Sequence, residues 1–143
     1  MKSYIYGIVL DNQTLALSGI SGNLTEHLIK LYLFTNDTKN PWRKSDWRKE
    51  VWNLLHIVPK LKSSKKFPSS RIIRDIIGAY DDMTTELSNL IIEEYPDLEP
   101  CRTDSDELAA IVNNYLDWIS DVLSTKGVVT SSEVYAKLDE LGL

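Results

Sequence analysis

Apolar residues recur along this chain at helical intervals, in blocks separated by polar loops. The first block is open to two readings. Tyr4 to Leu10 is rich in aromatic and β-branched residues, which favours a strand, with Asp11-Asn12-Gln13 as a turn and residues 14–19 as the second arm of a hairpin. A single short packed helix fits the same residues equally well. Downstream the pattern is clearer. Gly22 precedes Asn23-Leu24-Thr25-Glu26, a cap followed by an acid, and Leu24, Leu28, Leu31 and Tyr32 keep helical spacing to about Phe34. Residues 35–40 form a polar loop, and Asn40-Pro41 starts a long helix with proline at the first position, where its missing N–H costs nothing.

In that second helix Trp47, Val51, Leu54, Leu55 and Val58 form one buried stripe, and Trp42 and Trp52 sit at or beyond its edge. Pro59 ends or kinks it. Residues 60–68 read as an exposed lysine-rich loop. Pro68-Ser69-Ser70 then caps a third helix, whose apolar stripe runs Ile73, Ile76, Ile77, Tyr80, Met83, Leu87, Leu90 and Ile91. Pro96 and Pro100 bracket a break. Thr103 caps a fourth helix with acids in its first turn and Leu108, Ile111, Val112, Tyr115, Ile119, Val122 and Leu123 as its core face. Lys126-Gly127 closes it, and Thr130-Ser131-Ser132-Glu133 is a capping box opening a last short helix with Val134, Leu138 and Leu141 inward. The pattern predicts a mainly α single domain of four or five helices, with either a hairpin or a helix at the N-terminus.

Composition narrows the class without changing this picture. The chain has 143 residues, 43% hydrophobic and 26% charged, a balance that suits one globular domain with no boundary inside it. No apolar run approaches the roughly 20 residues of a membrane span, and the first residues lack a signal-peptide cleavage site. A single cysteine, Cys101, excludes an internal disulfide framework. These features predict a cytoplasmic location.

Charge changes the picture more. Residues 39–74 hold eleven basic side chains against Asp46 and Glu50, leaving +9, whereas residues 75–143 hold sixteen acids against Arg102, Lys126 and Lys137, leaving −13. The basic segment interleaves Trp42, Trp47 and Trp52 with Arg43, Lys44, Arg48 and Lys49, and continues through Lys60, Lys62, Lys65 and Lys66. Cations beside exposed aromatic rings are what phosphate contacts and base stacking require. The competing expectation is that the acidic half folds back and neutralises the basic helix while the tryptophans supply core volume. The last two helices superficially resemble a helix-turn-helix, but Glu133, Asp139 and Glu140 would repel phosphates.

No constellation for catalysis emerges. His27 and His56 lie on different helices with no motif around either, no second histidine completes a zinc face, and no glycine-rich loop carries a phosphate-binding lysine. Cys101 sits among acids, which oppose a thiolate. The expectation is therefore a non-enzymatic protein without cofactor or metal.

Taken as a unit, residues 27–100 carry His27-Leu28-Ile29-Lys30-Leu31, Trp47-Arg48, Pro59-Lys60-Leu61, Ala79-Tyr80 and Tyr95-Pro96. This order resembles the markers of domain of unknown function family 29, with Leu31 where tryptophan is usual, Asp46 where serine precedes the tryptophan, and Lys60 in place of a serine. The resemblance implies a helical bacterial domain and assigns no biochemical role. The leading expectation is a small cytoplasmic binding protein of immunity, antitoxin or inhibitor type, whose acidic surface caps a basic protein such as a nuclease or another effector. Asp81, Asp82, Glu86, Glu93 and Glu94 are its partner-facing candidates. The alternative is nucleic-acid binding through the basic segment, with Trp42 or Trp52 stacking.

Overall fold

A computed structural model describes residues 3–5, 8–10, 12–35, 41–56 and 84–143. At the N-terminus two short strands, β1 (Ser3–Ile5) and β2 (Ile8–Leu10), pair antiparallel with Tyr4 opposite Val9. Five helices follow among the described residues: α1 (Asn12–Leu33), α2 (Pro41–His56), α3 (Thr84–Glu94), α4 (Ser105–Thr125) and α5 (Ser131–Glu140). The architecture is the mainly α bundle expected from the pattern. The hairpin, however, lies wholly within residues 3–10, and the residues expected to form its second arm belong to α1.

α1 differs most from its sequence pattern. It begins at Asn12 and runs unbroken through Gly19 and Gly22, so Asn23 is no cap; its carbonyl accepts a hydrogen bond from the His27 ring, Nδ1 lying 2.7 Å away. Each interior glycine costs about 1 kcal/mol relative to alanine. Tertiary burial offsets that cost, because every residue from Leu28 to Phe34 is buried, on all sides of the helix. α1 is the central element, packed against α2, α3 and α4, and a helix surrounded in this way has no polar face to spare. Lys30 enters this setting only because Glu26 meets its ammonium at 3.1 Å and the Tyr95 ring lies beneath it at 5.5 Å. Burial pushes the Lys30 pKa down, but Glu26 and Tyr95 more than offset it, so the net direction is upward.

α2 starts at Pro41 as expected and turns Trp47, Val51 and Leu55 into the core. Its C-terminal continuation and the first four turns predicted for the third helix lie outside the described residues. Of that stripe, α3 contributes Leu87, half-buried, and Ile91, fully buried, alongside Thr84 and Ser88. Leu90 does not join them. α4 is capped by Asp104 rather than Thr103: the Asp104 carboxylate accepts from the N–H groups of Asp106 and Glu107. A carboxylate is the stronger partner for the positive end of a helix dipole, which favours Asp104 over its neighbour. The buried face of α4 also includes Leu116 and Ser120, so it is broader than the predicted stripe. Gly127 takes a left-handed φ of 78° just beyond α4, where a side chain would be strained. The capping box of α5 is present as predicted, with Thr130 and Glu133 exchanging hydrogen bonds and Lys126 reaching Glu133 at 3.0 Å.

The ends of α1 and α4 are tied together by residues 95–104. The Cys101 N–H and thiol both donate to the Leu33 carbonyl, one of the acceptors a helix C-terminus leaves open. Arg102 stacks 4.2 Å above the Tyr32 ring, pairs with Glu107, and donates to the Gly142 carbonyl. Phe34, Trp47 and Tyr95 form a mutually contacting aromatic cluster, with ring centres 5.7–6.0 Å apart, joining α1, α2 and the end of α3.

Candidate functional site

The outer face of α3 gathers acidic side chains around an exposed leucine. Glu86, Leu90, Glu93 and Glu94 fall within one sector of about 100° of helix surface, since residues three, four, seven and eight apart share a face. All four are exposed, and Leu90 keeps 60% of its surface in solvent. Sequence periodicity assigns Leu90 to the core stripe; the structure puts it at the centre of an acidic rim. The readable signal was its spacing from the glutamates, four positions after Glu86 and three and four before Glu93 and Glu94.

Two observations describe this face electrostatically. Five of the described cations are held in ion pairs: Lys30 with Glu26, Arg48 with Asp139, Arg102 with Glu107, Lys126 with Glu133 and Lys137 with Glu140. Among the described residues Glu86, Glu93 and Glu94 take part in no ion pair. In addition, Glu93 and Glu94 occupy the last turn of α3, with no basic residue there and no lysine or arginine anywhere from Thr84 to Pro100. Acids at the negative end of a helix dipole cost about 0.3–1 kcal/mol each. A local rule is broken without an internal compensation, which is where functional surfaces are found. Asp81 and Asp82 lie outside the described residues.

The basic segment divides differently. Trp42 is 57% exposed in the first turn of α2, with the Arg43 guanidinium 5.4 Å from its ring and 5.5 Å from the Tyr95 ring. Lys44 is half-buried and Lys49 exposed. Arg48 is held internally, 2.8 Å from Asp139 of α5 and over the Tyr135 ring, so the acidic half does neutralise part of α2. Trp52 packs against the core and its ring meets His56 at 5.3 Å, which removes it as a stacking platform. Lys60, Lys62, Lys65 and Lys66 lie outside the described residues. The structure thus brings Trp42 and Arg43 together, puts Lys44 on the other side of α2, about 200° around the helix, and holds Arg48 and Trp52 in contacts of their own.

Each histidine ring bonds to the carbonyl four residues before it. Among the described residues no group of three histidine, cysteine or acidic side chains is placed to hold a metal ion. The upward shift of Tyr115 comes from burial in the core beside α5, away from any exposed site. No helix is long and apolar enough to cross a membrane among the described residues.

No protein-family model, curated protein or solved structure matches the chain. Of the residues on which the expected resemblance to domain of unknown function family 29 rests, Leu28 and Trp47 are core residues, and the Tyr95 ring packs against Trp47. Their spacing reflects packing of α1, α2 and the end of α3 and points to no chemistry.

Proposed function

We propose that this chain is a small non-enzymatic binding protein that engages a protein partner through the outer face of α3. The observation that carries the reading is Leu90, a solvent-exposed leucine centred among Glu86, Glu93 and Glu94. An apolar centre inside a charged rim is the anatomy of a protein interface, and a rim of one sign steers a partner of the opposite sign. The partner is then a protein with a basic surface, such as a nuclease or another nucleic-acid-binding effector, and the chain acts on it as an immunity protein, antitoxin or inhibitor acts. Asp81 and Asp82, the other two expected partner-facing acids, stand just before α3 in sequence and outside the described residues. The cytoplasm is where it operates.

Charge reversal tests this directly. Glu86→Lys, Glu93→Lys and Glu94→Lys together abolish capture of the partner while leaving the thermal midpoint near that of the unaltered chain, since lysines at 93 and 94 suit the C-terminal turn of α3 and offset the loss of Glu86 from its first turn. Undiminished capture by the reversed chain overturns the proposal.

One observation favours a second reading. Trp42 is exposed with the Arg43 guanidinium 5.4 Å from its ring, a small platform for an unpaired base and its phosphate. Binding of that kind weakens steeply with salt, by orders of magnitude between about 50 and 200 mM when several phosphates are neutralised. The ion pair that occupies Arg48 leaves α2 fewer cations for it.

A further inference from the structure

We draw no further inference here: the strongest candidate, the exposed ring of Trp42 in the first turn of α2 with the Arg43 guanidinium set against both it and the ring of Tyr95, belongs to the base-stacking platform already described, and nothing in the structure shows what else covers it.

Discussion

Two tryptophans five residues apart on α2 have opposite fates, and replacing each by alanine separates stability from surface function. Trp47 is 7% exposed and touches the rings of Phe34 and Tyr95, at centre distances of 6.0 and 5.7 Å. Truncating a buried tryptophan costs about 3–5 kcal/mol through lost transfer energy and the cavity left behind. The two ring pairs place Trp47 in the middle or upper part of that range, since each aromatic pair adds roughly 0.5–1.5 kcal/mol beyond burial. A loss of about 4 kcal/mol is a large share of the 5–15 kcal/mol that usually holds a domain together, and at roughly 2–4 °C per kcal/mol it lowers the melting midpoint by about 8–16 °C. Trp42, at 57% exposure, lies outside the core. Its removal changes stability by no more than about 0.5 kcal/mol, the range for surface substitutions. Urea unfolding followed by circular dichroism measures both. A Trp42→Ala loss above about 1 kcal/mol, or a Trp47→Ala loss below about 2, refutes the division of labour assigned to α2.

Other substitutions test particular joints. Thr130→Ala removes the hydroxyl that accepts the Glu133 N–H and costs about 1 kcal/mol in urea unfolding, while Ser131→Ala beside it is near neutral. Arg102→Ala gives up the stack on Tyr32, the Glu107 pair and the bond to the Gly142 carbonyl, a loss of about 1–2 kcal/mol; lysine does not restore it, because an ammonium cannot lie flat on the ring. Lys126 and the Thr130 N–H and hydroxyl hold the Glu133 carboxyl below its ordinary value of 4.5. Because the folded value is the lower one, this support is present above the ordinary glutamate range and lost as pH falls through the depressed value. Glu133→Gln therefore flattens the acid side of the stability profile, read as urea midpoints from about pH 6 to pH 3.

Much of the framework was legible from spacing alone. Helix starts marked by local chemistry, Pro41 and the Thr130–Glu133 box, are where the residues placed them, because a cap is decided by two or three neighbours. Elements decided by distant packing were not legible in the same way. The glycines at 19 and 22 read as a break, yet α1 passes through them because α2, α3 and α4 bury its next turns completely. Thr103 and Asp104 are equally plausible caps in sequence; the bond from the Tyr32 hydroxyl to the Asp104 carbonyl helps fix which residue stands at the helix start. Leu90 shows the limit most directly. Its position fits a helical stripe, and periodicity counts only spacing, whereas exposure depends on how far around the helix its neighbours reach. The acidic character of α3 was visible as a charge count, and the leucine at its centre became visible only when the helix had a packed side.

The most direct measurement is a tagged capture from cells at low and high salt, with co-purifying protein and nucleic acid both quantified. The account predicts one stoichiometric protein partner with a basic surface, retained at high salt by the apolar contact at Leu90 and lost from the chain reversed at Glu86, Glu93 and Glu94. Nucleic acid that co-purifies at low salt and leaves at high salt, with no such protein, contradicts it and moves the function to Trp42 and the cations beside it.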